Sequence, residues 1–374
     1  MHIIQVAPDE RRLINQFLDL PFHIYQDIPQ WVPPLRMDVR RVFDRRRFPF
    51  YNHSEAAFFL AIGDGREPLG RIAVLDNHNF NRHKGEKTAF FYLFESIEDE
   101  AVATKLFQAA FAWAHSRGLD SIMGPKGFTP LDGLGLLVKG FEHRAVYGVP
   151  YNPEYYRRLI EGLDFGVQRD MLSGFVDRDT KFPPAIHRVA DRVKERRGLH
   201  IARLETRGQL RRIIPKLKEM YNKILASVPN NMPLTDDEID ALANQIIWFA
   251  NPKMIKIVMK GDEAVGFVLA YPDISAALQR TGGKLFPLGW IDILLELRRT
   301  REAILNGIGI LEEYRGTGGT VILFSELAKT LTESRYQRGD LVQVGTDNDK
   351  MLRELEKLGV DFYKMHRIYR RSLI

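Results

Sequence analysis

The chain contains no cysteine among its 374 residues, which excludes a disulfide framework, a thiol nucleophile and a thiolate metal site. It lacks any apolar run near the roughly 18 residues a membrane span needs. Met1-His2-Ile3-Ile4-Gln5 also lacks the basic stretch that precedes the apolar segment of a secretory leader. No membrane partner and a cytoplasmic location are the resulting expectations. Long basic tracts are missing too: the net charge is +6, yet Arg45-Arg46-Arg47 and Arg196-Arg197 are short and the other basic residues are scattered. That distribution suits a small anionic ligand and argues against a nucleic-acid partner. His78 and His83 do not share a helix face and have no third ligand nearby, so no metal is expected.

What is present describes an ordinary globular chain, 45% apolar and 27% charged, and long enough for two cores. Ile3 to Val6 reads as a strand and Arg11 to Leu20 as a helix, before an irregular stretch spanning Pro21, Pro29 and Pro33-Pro34. Glu55 to Ile62 and Leu69 to Leu75 flank Gly63-Asp64-Gly65 as a hairpin; Thr88 to Glu95 is a strand, and Val102 to Trp113 a helix closed by Gly118. The glycine-rich Gly124 to Gly135 is not followed by a helical pattern and reads as a surface loop. Asp177 to Pro184 reads as a linker, and Ile186 to Arg197 as a basic helix ending at Gly198. Beyond it come a strand at Leu199 to Leu204, a helix or helix pair at Leu210 to Leu225 broken by Pro215, and a hairpin around Gly261-Asp262. An amphipathic helix at Ile291 to Leu297 is expected to pack between domains.

The chain is organised around one stretch. Ile308, Ile310 and Leu311 end a buried strand, three glycines crowd Arg315-Gly316-Thr317-Gly318-Gly319-Thr320, and Val321, Phe324, Leu327, Ala328 and Leu331 recur at helical spacing. A strand, glycine turn and helix leave backbone N–H groups open at the helix start, where an anion can approach closely, and Arg315 adds positive charge. A diphosphate site is the physical expectation. No Gly-Lys-Ser/Thr follows, as a Walker loop would need, and no Rossmann acidic residue ends a second strand.

The Arg315 to Thr320 pattern instead resembles the Arg/Gln-x-x-Gly-x-Gly/Ala loop of the GNAT superfamily of acyl-CoA-dependent N-acyltransferases, with Thr320 at the usual Gly or Ala. Asn348 to Val360 is similar to that family's Asn to Tyr-Glu-Lys-Leu-Gly-Phe segment. Asn152, Arg157, Leu159 and Asp164-Phe165 echo Asn348, Arg353, Leu355 and Asp361-Phe362, which suggests a duplication. The resemblance implies an α/β fold of two tandem GNAT-like domains, each a mostly antiparallel mixed sheet flanked by helices. The expected division is 1–180, a linker helix over 181–198, and 199–374. The first half carries Ser96-Ile97-Glu98-Asp99-Glu100 where its glycine turn would lie; acidic residues there repel a diphosphate, so one cofactor site is expected.

The resemblance further implies acetyl-CoA or another acyl-CoA as cosubstrate and an unidentified amine as acceptor. Gly316, Thr317, Gly318 and Gly319 would hold the diphosphate with Arg315, Thr320 would add a hydroxyl, and the backbone at Ile310 and Leu311 and the side chain of Asn348 would hold the pantetheine. Catalytic residues cannot be assigned. The family's frequent Tyr acid is replaced by Leu355, and the strand into the loop offers Asn306, Gly307 and Gly309 rather than a carboxylate. Glu312 and Glu313 read as solvent-facing, and Tyr314 and Tyr363 have no assigned place. Three readings stay open: an acyl-CoA N-acyltransferase, a CoA-binding or sensing protein without catalysis, and a Fem-like aminoacyl-tRNA-dependent transferase.

Overall fold

The computed structural model describes every residue except 181, 184, 230, 316 and 317, together with the side chain at 248. The first half runs β1 (His2–Gln5), α1 (Arg11–Ile24), α2 (Arg36–Arg41), β2 (Glu55–Ile62), β3 (Pro68–Asp76), α3 (His78–Lys84), β4 (Thr88–Ser96) and α4 (Glu100–His115). It continues through β5 (Ser121–Gly124), β6 (Leu136–Lys139), α5 (Tyr155–Glu161) and β7 (Gly166–Asp177). Then follow α6 (Ile186–Arg197), β8 (Leu199–Ile201), α7 (Arg207–Ser227), α8 (Asp236–Phe249), β9 (Lys256–Lys260) and β10 (Glu263–Pro272). The last elements are α9 (Ser275–Thr281), α10 (Gly289–Arg299), β11 (Glu302–Ile310), α11 (Gly319–Thr332), β12 (Arg338–Gly345), α12 (Asp349–Lys357) and β13 (Asp361–Ser372).

Local chemistry explains most helix starts. Asp99 accepts hydrogen bonds from the N–H groups of Ala101 and Val102 at the start of α4, so a carboxylate occupies the helix N-terminus where a bound anion would otherwise sit. Reciprocal capping boxes, Thr206 with Gln209 and Thr235 with Glu238, open α7 and α8. Gly198 closes α6 in the left-handed conformation.

Three expectations need correction. The stretch from Pro21 is not irregular throughout, because α1 continues through Pro21 to Ile24 and α2 follows. Helix α7 is not interrupted at Pro215. An interior proline costs about 3 kcal/mol, and here the packing of Leu210, Met220, Ile224 and Leu225 against the sheet offsets it. The strand after Gly198 stops at Ile201.

Among the described residues all strands join one mixed sheet in the order β1-β2-β3-β4-β5-β13-β7-β12-β11-β10-β9-β8, with β6 also pairing β13. Most neighbours are antiparallel; β4 with β5 and β11 with β12 are parallel. The two halves exchange their last strands. β7, from the first half, pairs β12, and β13, from the second, pairs β5, while β7 and β13 lie antiparallel along most of their length. Ile368 and Tyr369 on β13 are fully buried, one in each of two different cores.

Residues 1–179 alone would lack β13 and leave β5 and β7 with open, apolar edges. We expect such a fragment to aggregate and to give no cooperative thermal transition by circular dichroism. A sharp melt from a soluble monomeric fragment would contradict this dependence.

Candidate active site

The two parallel strand pairs both part company after a few residues. In the second half, β11 and β12 pair from Glu302 and Arg338 to Leu305 and Leu341 and then diverge. Gly307 takes a φ of 125°, open to glycine, and β12 bulges around Gln343, whose φ is 55°. The cleft so formed holds about 260 Å³ and is lined by Asn306, Gly307, Gln343, Asn348 and Leu355 among others. In the first half, β4 and β5 pair from Thr88 and Ser121 to Phe90 and Met123 and also diverge, with Leu93 at a φ of 51°. That cleft holds about 250 Å³ and is lined by Tyr25, Tyr92, Glu95, Phe128, Asp132 and Tyr271 among others.

The segment between Gly124 and Gly135, expected at the surface, is instead the partition between these clefts. Phe128 is buried edge-on against Phe48 and Phe50, which pins the middle of the segment. Thr129 and Asp132 face the first cleft, and Lys126 and Leu134 the second. The Gln343 amide accepts from the Leu134 N–H at 2.9 Å and donates back to its carbonyl, tying the partition to the β12 bulge. Asn306, in the second cleft, donates from Nδ2 to the phenol oxygen of Tyr271, in the first, at 3.0 Å. The Asn306–Tyr271 pair thus spans the shared wall.

Electrostatics set the first cleft's chemistry. Burial pushes the Asp132 carboxyl up to about 6, against the opposing pull of backbone N–H groups at Thr129 and Phe128. Deeper in, Glu95 accepts from the phenols of Tyr25 at 2.7 Å and Tyr156 at 2.8 Å, with Arg71 at 3.5 Å. Burial raises Glu95 and lowers Arg71. In the second cleft, burial pushes the Lys126 ammonium down to about 7.

Among the described sequence-predicted residues, Asn348 lines the second cleft, whereas Ile310, Leu311, Arg315, Gly318, Gly319 and Thr320 lie where β11 leads into α11. Ile310 and Leu311 are buried, with Leu311 N–H donating to Val265 O and Ile310 paired with Gly266 on β10, so their other edge faces the departed β12. Arg315 is exposed and donates to Ile310 O at 3.2 Å and to Ser227 Oγ at 3.0 Å, fastening the turn to the end of α7. Gly318 caps α11 with a φ of 94°. A Cβ on Gly319 would lie 2.3 Å from Ile310 Cδ1 and 2.8 Å from Tyr314 O. Thr320 lies in the first turn of α11, and Gly316 and Thr317 fall outside the described residues. Asn348 lines the cleft but spends its side-chain oxygen on the Met351 N–H as the cap of α12. Glu312 and Glu313 are exposed, and Tyr363 donates to Asp340 at 2.6 Å without lining the cleft.

This geometry was compared with known proteins. No family model matches the chain. Among solved structures it is similar over its whole length to a tandem GNAT protein from the clavulanic acid biosynthesis pathway, with 12% identity, a TM-score of 0.56 and 98% of that chain covered. The chain has the tandem GNAT fold. A GCN5-related N-acetyltransferase from Sphaerobacter thermophilus aligns likewise over 99% of this chain and 96% of its own, with 12% identity and a TM-score of 0.52. Curated relatives include Protein YghO of Escherichia coli K12, 26% identical over 368 residues that cover 96% of this chain and 93% of that protein. Bacterial ceramide synthase of Caulobacter vibrioides is 26% identical over 373 residues, 96% of this chain and 95% of that protein. Parallel strands part in both halves, and the N-caps Asp99 of α4 and Gly318 of α11 distinguish them.

The sequence reading gives Asn306 only as a position without a carboxylate and misses Asp132, Glu95 and Tyr271, because the elements that carry them are far apart in the chain. Gln343→Asn keeps an amide, on a residue that takes positive φ readily, but that amide falls one methylene short of Leu134. Gln343→Asn should therefore cost about 1–3 kcal/mol through unpaired backbone groups, measured by urea denaturation; unchanged stability would remove the amide as the partition's anchor.

Proposed function

We propose that the protein is an acyl-CoA-dependent N-acyltransferase acting on a long-chain amine. The observation that carries this reading is the pair of back-to-back clefts, one beside a glycine helix start and the other largely apolar with a half-buried carboxylate. The name of the Caulobacter relative supports the acceptor class, since a ceramide is the amide of a fatty acid with a long-chain amino alcohol.

The residues of the second cleft fit an acyl-CoA. At the start of α11 the Val321 N–H is spent on Gly318 O at 3.1 Å, and the N–H groups before it belong to a turn where Gly318 and Gly319 carry no side chain, which suits an anion. In this reading Gly316, Thr317 and Thr320 complete the diphosphate cradle and Arg315 supplies charge. Ile310, Leu311 and Asn348 line the path of the pantetheine arm. Bound there, acyl-CoA supplies an activated acyl thioester. Asp132 takes the ammonium proton of the acceptor, leaving a neutral amine as nucleophile. Tyr271, kept protonated by burial, is the proton donor at the wall, oriented by Asn306. Glu95 and its phenols form a polar end able to fix an acceptor hydroxyl.

Calorimetric titration with acetyl-CoA and palmitoyl-CoA tests the cofactor half of the reading. Gly319→Val forces the turn away from Ile310 and should weaken binding by about tenfold or more while costing roughly 1–3 kcal/mol of stability. Failure of the folded wild type to bind either thioester would overturn the proposal.

The pH profile tests the base. Asp132 acts ionised, so kcat/KM with a long-chain amino alcohol should fall as pH drops through about 6. Asp132→Asn should lower the rate by about 10²–10⁴-fold and abolish that acidic limb. A variant that keeps both rate and limb assigns the base elsewhere.

A further inference from the structure

Helices α9 and α10 form a helical hairpin, whose tip and second helix, Lys284–Arg299, carry an apolar surface that the acyl-transfer site does not use. Of the eleven large hydrophobic side chains exposed among the described residues, six fall between Phe286 and Leu295. Phe286 and Leu288, at the hairpin tip, are 76% and 68% exposed. Trp290, Ile291, Leu294 and Leu295 follow on α10 at i, i+1, i+4 and i+5, a single helix face. Isolated exposed apolar residues are ordinary, whereas a contiguous set on one face marks a contact surface. The expectation that this helix packs between domains accounts only for its inner face. There Ile293 and Leu297 meet Leu35, Ile274, Ala277 and Leu278.

Charge decides what the outer face meets. The helix's acidic residues, Asp292 and Glu296, are both engaged by Arg280 of α9. Lys284, Arg298 and Arg299 are exposed at the two ends of the apolar stretch. Arg335 donates to the carbonyls of Leu297 and Arg298, adding a further cation at the C-terminus of α10. An apolar face with Trp, Phe and Leu, rimmed by cations and with both its carboxylates held by Arg280, fits an anionic bilayer surface. Among the described residues no helix is long and apolar enough to cross a membrane, so the contact is with the surface only.

The hairpin is also built onto the first cleft. Gln279 of α9 donates to the carbonyls of Pro29 and Trp31, and the Arg36 N–H donates to Gly283 O at 3.0 Å. The chain between those points, Trp31 to Leu35, lines the first cleft. Val32 and Leu35 pack in the same cluster as Ile293.

We propose that residues 284–299 dock the protein onto anionic phospholipid bilayers, holding the Trp31–Leu35 wall of the first cleft at the lipid boundary. The surface stands apart from the acyl-transfer reading, and its test involves no turnover. The intact protein is sedimented with sucrose-loaded vesicles of phosphatidylglycerol and phosphatidylcholine, and with phosphatidylcholine alone. Wild type should partition to the anionic vesicles and be released by salt. Phe286→Ser/Leu288→Ser/Leu294→Ser should lower the partition coefficient by about tenfold or more with its melting curve preserved, since the side chains removed are exposed. Arg298→Glu/Arg299→Glu, which leaves the apolar face intact, should lose the preference for anionic vesicles and serves if the triple variant misfolds. Wild type remaining in the supernatant, or either folded variant binding like wild type, would overturn the proposal. So would a wild-type dimer in sedimentation velocity that the triple variant abolishes without any vesicle binding, since the face would then seat a second copy.

Discussion

The antiparallel pairing of β7 with β13 is the contact on which the rest of the molecule depends. Each strand ends one half of the chain, and each also pairs with a strand of the other half, β7 with β12 and β13 with β5. Backbone hydrogen bonds in the middle of a sheet cannot be given up without leaving donors and acceptors unpaired. The exchange therefore makes one structural body out of two similar halves, and it fixes where their splayed strand pairs lie. Reading outward from the centre, β5 and β4 part on one side, and β12 and β11 on the other.

That placement turns two clefts of one fold into two faces of a shared wall. The Lys126–Leu134 stretch leaves β5, passes between them and is held on one side by Phe128 among aromatic rings and on the other by Gln343. Ionisable groups close to such a wall lose water, which moves the Asp132 and Glu95 carboxyls up and the Lys126 ammonium down. The same burial that shapes the clefts sets the proton affinities within them. The two halves differ at one pair of helix starts: Asp99 caps α4 with its own carboxylate, whereas Gly318, in the left-handed conformation, caps α11.

The α9–α10 insertion extends this arrangement to the exterior. Its inner side chains complete a small core with Leu35, and its outer ones are exposed. An apolar wall of the first cleft and an apolar external face are thus joined through a few side chains.

The sequence by itself determined the local elements: the β2–β3 hairpin, the α6 helix and its glycine stop, the acidic cap of α4, and the strand and helix on either side of Arg315. These are short-range signals, set by periodicity, capping and the freedom of glycine to take positive φ. The tandem fold was legible because motif and repeat lie in contiguous stretches. Tertiary structure alone decided the strand exchange, since nothing local in β7 or β13 specifies its partner across the chain. It also decided that Pro21 and Pro215 stay within helices, because packing of the surrounding apolar residues outweighs a lost hydrogen bond. It buried the Gly124 to Gly135 segment and brought Asp132, Tyr271 and Asn306 to one wall. A carboxylate acquires its proton affinity from neighbours that fold around it, and Asp132's neighbours come from distant parts of the chain.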